Sequence, residues 1–250
     1  MAELLTRPGP TKEFPGFCPQ GIALLRDHRR GWSQSQQELY EYKITTPLLN
    51  LVCGVSREFA RFAPNYATLP AKAVFRIFGE AASSRNKVAH RTHPASIWVH
   101  RDAKSARGAC FYFHFTAKEA VVLGGVYSAE PDELLAYRRL LHDHYMEFEA
   151  ILRDPKLRSQ VGELQGDKAS RMPKGLCPNH HHPAADLMKQ KQWYLVSMLD
   201  LGLLSTDRLL PTLVHHFEVM TPMVEFLNRP FAQKPRVKRM AFSVAPGSCD

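Results

Sequence analysis

Between Lys72 and Tyr127 the hydrophobic period changes from 3.6 residues to 2, so the chain must set helices and a sheet against one core. In GACFYFHFT (residues 108–116), Phe111, Phe113 and Phe115 share one face of an extended strand. Cys110, Tyr112, His114 and Thr116 share the other. KAVFRIFGE, ASIWVHR and EAVVLGGVY surround it as further strands, and QWYLVSML reads as a fifth. Short turns at Lys104–Gly108 and Ala117-Lys118 predict two antiparallel hairpins within residues 72–127. Gly124-Gly125 inside the last of these strands predicts a bulge or a close approach by another element.

Helical periods lie on both sides. Pro19 opens a short helix through Ile22 and Leu25 that ends near Gly31. Ser33 and Gln36 fit a capping box for a helix holding Leu39 and Tyr40, which breaks before Pro47. Pro47 then suits the first turn of a helix whose stripe is Leu48, Leu51, Val52, Val55, Phe59 and Phe62. A helix from Pro131 carries Leu134, Leu141, Tyr145, Phe148 and Leu152 inward and stops at Pro155. Pro183 begins a short helix; Ser205 caps a last one, from Leu210 to Leu227, that Pro222 kinks. The expectation is α+β: an antiparallel sheet of about four or five strands with helices from both chain ends packed on it. Residues 1–13 form a loose tail, 14–230 one domain and 231–250 a basic tail.

Five widely spaced cysteines without a C-x-x-C pair argue for a reducing compartment. MAELLTRPGPTKEF has no apolar stretch of signal-peptide length, and no run is long enough to span a membrane, so a cytoplasmic chain is expected. The net charge of +9 favours anionic partners.

The most concentrated chemistry lies between the first two strands. Arg85, Lys87, Arg91 and His93 crowd one connection beside Arg76, with Lys174, His182 and Lys189 as later contributors. Guanidinium groups offer bidentate donors, so this group suits a phosphate or carboxylate; the plainer account is a solvated loop with one structural ion pair. Cys177-x-x-His180-His181-His182 with Asp186 carries metal-ligand types, but adjacent loop residues rarely all face one ion, and no metal is assigned. His100-Arg101-Asp102 is best explained as a strand end entering a polar turn, and His142-Asp143-His144 as a solvated helix face. No Walker A, G-x-G-x-x-G or G-x-S-x-G occurs. Phe111–Phe115 would suit base stacking, although aromatic strands are usually core.

The order of these pieces resembles the bacterial and fungal family of conserved hypothetical proteins catalogued as domain of unknown function 2461. The resemblance runs from about Phe14 to Leu227. It rests on Trp32 and Tyr40, Val74-Phe75-Arg76-Ile77, Lys87, His93, Tyr112 and Gly124-Gly125-x-Tyr127. It continues through Pro131, Leu134 and Arg138, Pro173-Lys174-Gly175, His182-Pro183, Lys189 and Pro222 to Asn228. It implies an α+β fold and carries no activity or cofactor. The family's loop after the Phe-Arg-Ile strand is richer in arginine than this one, which holds Gly79-Glu80 and Ala82-Ser83-Ser84 there.

The functional expectation is a protein of unknown activity whose basic loop binds a small anionic ligand. Two rival classes stay open: a hydrolase or metal-dependent enzyme using His93 and His182, and a nucleic-acid-binding module driven by charge. The tail is testable at once, since Lys234, Pro235, Arg236, Lys238 and Arg239 offer no apolar periodicity with which to dock. Deleting residues 234–250 should leave Tm nearly unchanged and lower affinity for polyanions. A large drop in Tm would put the tail in the core.

Overall fold

Ser33 and Pro47 shape the first half of the chain. In the computed structural model, which describes residues 14–25, 33–75, 93–102, 108–172 and 182–231, helix α1 spans Pro19–Leu24 and α2 spans Gln34–Tyr40. The Ser33 Oγ accepts from the Gln36 N–H and the Gln36 Oε1 accepts from the Ser33 N–H, completing the expected capping box. The expected break before Pro47 is absent. A π-helical turn over Glu41–Thr45 carries the backbone directly into α3, Thr46–Phe62. Proline lacks an N–H and its ring crowds the preceding turn, and one widened turn, in which the Thr46 N–H donates to Glu41 O, makes the room. Leu48, Leu51, Val52, Val55 and Phe59 are buried on the predicted stripe.

The expected strand from Lys72 is a second correction. Pro70 opens a one-turn helix, α4, over Pro70–Ala73. Only then does Val74 bridge Ser96, with the Phe75 N–H donating to Ala95 O at 3.0 Å. Arg76 through Thr92, with the rest of that expected strand, lie outside the described residues, as do the tails at 1–13 and 232–250.

Four strands form one antiparallel sheet in the order β1 (Ala95–Val99), β2 (Cys110–Phe115), β3 (Ala120–Val126), β4 (Trp193–Met198). Register sorts the two faces. Ser96 opposes Phe113, Phe113 opposes Val122 and Val122 opposes Ser197, so the Phe111–Phe113–Phe115 face includes Trp98 and Leu195. All three phenylalanines are 0% exposed, which removes them as a stacking platform for bases. On the opposite face Ile97, Tyr112, Leu123 and Val196 form one row across all four strands.

Helix α9, Leu209–Asn228, lies on the phenylalanine face. A Cβ on Gly124 would sit 2.8 Å from Met220 Sδ, and one on Gly125, at φ +130°, would sit 2.2 Å from Trp193 O. The glycine pair therefore marks a close approach on both sides of β3. Pro222 lies inside α9, which continues through it: Pro222 and Glu218 are both exposed, so the carbonyl that loses its donor faces water. Ser205 does not cap this helix. It ends a 3-10 turn, Leu201–Ser205, whose start is fixed by the Asp200 Oδ1 accepting from the Gly202 N–H, and α9 begins four residues later.

The helix expected from Pro131 is two, α5 (Pro131–Asp143) and α6 (Tyr145–Leu152), broken at His144 where φ is −124° and ψ 31°. Pro155, expected as a stop, is also a start. Asp154 Oδ1 caps α7, Pro155–Val161, by accepting from the Lys156 and Leu157 N–H groups. The short helix α8 spans Ala185–Lys189. Arg138 on α5 donates to the carbonyls of Met188 and Gln190, fastening α8 to α5, and desolvation lowers its pKa.

One hydrophobic cluster draws residues from Phe14 to Leu227. Asn228 closes it. Its Nδ2 donates to Tyr66 Oη at 2.6 Å and to Ala109 O at 2.7 Å, while its Oδ1 accepts from the Ala109 N–H at 3.0 Å. Burial raises the Tyr66 pKa well above the usual tyrosine value, so this hydroxyl stays protonated. Two substitutions test this packing by denaturant unfolding. Phe113→Ala should cost about 3–5 kcal/mol, and a loss below about 1 kcal/mol would contradict its burial. Asn228→Ala leaves the Ala109 N–H, the Ala109 carbonyl and the Tyr66 hydroxyl without this partner, and should cost about 3 kcal/mol or more. A near-neutral result would mean that water replaces the amide.

Candidate functional site

The β2–β3 turn is built by one hydroxyl. Thr116 Oγ1 accepts from the backbone N–H groups of Lys118 at 3.0 Å and Glu119 at 3.1 Å, and the Thr116 N–H donates to Glu119 O at 2.7 Å. This tight reversal swings Glu119 back beside its own strand pair, where Oε1 lies 3.4 Å from His114 Nε2. His114 points to the face opposite the phenylalanines, together with Tyr112 two residues earlier. His93, just before β1, completes the group: its ring centroid is 4.5 Å from that of His114 and its Nε2 is 3.5 Å from Tyr112 Oη.

Four titratable side chains therefore meet at one corner of the sheet, and their burial is graded. The His114 side chain is 16% exposed and that of Glu119 47%. The imidazoles and the phenol present N–H and O–H donors, and the rim carboxylate can hold the His114 tautomer by accepting from Nε2. A cavity of about 580 Å³ opens beside the turn, lined by Leu25, Thr116, Ala117, Lys118 and Glu119.

Of the residues expected from the sequence to bind a ligand, His93 stands in this cluster. Arg76, Arg85, Lys87, Arg91 and Lys174 lie outside the described residues. The ends of the segment carrying the first four are described: it leaves from Phe75, hydrogen-bonded to Ala95, and returns to His93. His182 and Lys189 are engaged elsewhere. His182 stacks on His142, centroids 4.3 Å apart and planes within 18°, and its Nδ1 accepts from the Ala184 N–H. Lys189 pairs with Asp186 at 3.5 Å. The His142–His182 stack also corrects the view of His142 as merely solvated. It lines a separate cavity of about 370 Å³ at the α5–α6 break with Asp143, Glu147 and Pro183.

His100 directly follows β1 and accepts from the Asp102 N–H on Nδ1, as a strand end entering a polar turn should. Among the described residues no group of three or more His, Cys, Asp or Glu side chains is placed to hold a metal ion. Cys18, Cys53 and Cys110 form no disulfide, and no described helix is long and apolar enough to cross a membrane. Tyr112, His114 and Glu119 are not among the ligand-binding residues expected from the sequence, although its period of 2 puts Tyr112 and His114 on one face.

No curated protein and no solved structure matches this chain. The family model described as "Conserved hypothetical protein (DUF2461)" matches residues 22–226, from the end of α1 almost to the end of α9. With the greater part of its length matched, the chain belongs to this family of conserved hypothetical proteins.

Proposed function

We propose that the protein binds a small phosphate- or carboxylate-bearing ligand at the corner formed by His93, Tyr112 and His114. The observation that carries this reading is the convergence of those three donors at the point where the basic segment begins and ends. Anions in proteins are held by several N–H and O–H donors at once, and donors on strands are better positioned than donors on long flexible stems. In sequence Arg76 follows directly on Phe75, whose N–H donates to Ala95 O, and Arg91 stands two residues before His93. Arg85 and Lys87 lie within the same segment. Lys174, His182 and Lys189 are lesser contributors in this reading, since His182 and Lys189 already have local partners.

The test is thermal unfolding of the full chain in inorganic phosphate against chloride at matched ionic strength. At 100 times the dissociation constant the linkage gain is about 2.7 kcal/mol. For a protein of this size that raises Tm by roughly 5–10 °C. Chloride should do much less, because screening alone is not specific. His114→Gln and Arg76→Ala should each remove most of the difference. Equal shifts in the two salts, or an undiminished phosphate shift in both variants, would return the cationic segment to a solvated loop.

A further inference from the structure

A histidine leads into helix α8, and its ring is used there in a way that only one protonation state allows. The Nδ1 of His182 accepts from the Ala184 N–H at 3.1 Å, closing the two-residue turn that an asparagine side chain also makes. Ala184 is 0% exposed, and among the described residues this ring nitrogen is the acceptor for its N–H. A buried N–H without a partner is costly, so the turn depends on a lone pair at Nδ1. In a neutral imidazole that lone pair places the proton on Nε2. In an imidazolium both nitrogens carry protons, and the Nδ1–H would be set against the Ala184 N–H.

The surroundings of the ring act in the same direction. It lies on the ring of His142, with centroids 4.3 Å apart and planes within 18°. His142 stands in the last turn of α5 and its Nδ1 is 2.8 Å from Asp143 Oδ1. A proton on His142 is therefore met by a carboxylate and by the negative end of the helix. A second proton, on His182, would stack one cation on another. The cavity at the α5–α6 break also brings Asp143, His144, Tyr145 and Glu147 to the pair. Glu147 has both oxygens on Arg229, and on α8 Asp186 pairs with Lys189. Arg138, one turn before His142 on α5, is a further cation, held by the Met188 and Gln190 carbonyls. Among the described residues no carboxylate accepts from the His182 ring.

We infer that the start of α8 is a pH-sensitive latch, closed while His182 is neutral and opened when its Nδ1 takes a proton. The open form binds a proton that the closed form excludes, so falling pH favours the open form. The change lies where an imidazole ordinarily charges, around pH 6.5. The opening is local. Farther along α8 the Met188 side chain is buried, and the Leu187, Met188 and Gln190 carbonyls accept from Trp193 Nε1 and Arg138. What is released is the first turn, where the Ala185 N–H donates to His182 O and the Met188 N–H to Ala184 O.

The experiment is amide hydrogen exchange of the full chain on either side of the histidine range, each rate referred to the intrinsic rate at that pH. Protection of the Ala184 N–H should fall about tenfold between about pH 7.5 and about pH 5.5, while the amides of β3 keep theirs. His182→Asn retains an acceptor that does not titrate, so its Ala184 protection should be the same at both values. A second readout needs no variant: the ring nitrogen shifts of His182 at the higher pH should report the tautomer with its proton on Nε2. Unchanged protection of Ala184 in the wild-type chain would overturn the latch, and so would an Nδ1–H tautomer. A loss in His182→Asn as large as in the wild-type chain would assign the pH effect to another group and overturn it as well. The two wild-type readouts decide the matter if the variant does not close the turn.

Discussion

The close approach of α9 to β3 is the contact on which the rest of the structure depends. At Gly124 the helix comes in so far that a single Cβ would meet Met220 Sδ at 2.8 Å. On the same strand Gly125 allows β4 to close up at Trp193 and Tyr194, where a Cβ would meet backbone rather than a flexible side chain. Because interiors are close-packed and backbone cannot yield, these two positions fix both the height of α9 over the sheet and the pairing of β4. Every other element on the phenylalanine face then has a defined partner. Phe59 of α3 sits against Trp98, Phe111 and Phe217, with ring centroids 5.0–5.8 Å apart.

The last residue of α9 converts this packing into a constraint on the strand that carries Tyr112 and His114 of the candidate site. Asn228 offers Ala109 both a donor and an acceptor, as a neighbouring strand would, at the residue immediately before Cys110 and β2. Gly108 stands next to it at φ +96°, and a Cβ there would lie 2.6 Å from Asn228 Oδ1. The start of β2 is thereby held by the end of a helix more than a hundred residues away in sequence. Its other end is held by the Thr116 turn. Tyr112 and His114 lie between these two fixed points, so their positions are set by backbone and not by side-chain flexibility.

Much of this was legible in the sequence, and the reasons for the rest are local. Period-2 alternation identified the buried phenylalanines, and the glycine pair announced a close approach, because both signals depend only on neighbours along one strand. Proline was read too simply. Pro47 was accommodated by a π-turn, Pro155 opened a helix as well as following one, and Pro222 lay on a hydrated face. In each case the outcome was decided by what could satisfy the neighbouring backbone groups. The candidate site was half legible. His93 stood out as one of a crowd of cations, whereas His114 and Glu119 become partners only through a turn whose geometry depends on the Thr116 hydroxyl. His182 has the residue type of a ligand, and in the fold its ring stacks on His142, a contact that no spacing rule predicts.

The setting of the His93–Tyr112–His114 corner explains how few donors it would need. In water a neutral imidazole or phenol is a weak anion ligand, because every hydrogen bond it makes replaces one to solvent. Beside Leu123 and Val121, with the His114 side chain only 16% exposed, competing water is scarce and each hydrogen bond is electrostatically stronger. The same apolar surroundings would make a permanently charged cation costly on the strands, and the strands contain none. Glu119 fits this division. Nearly half exposed at the rim, it can hold the His114 ring by its Nε2 while its own charge stays hydrated. Titratable donors on the strands and full charges in the connecting segments are how the anion site we propose is reconciled with a sheet this apolar.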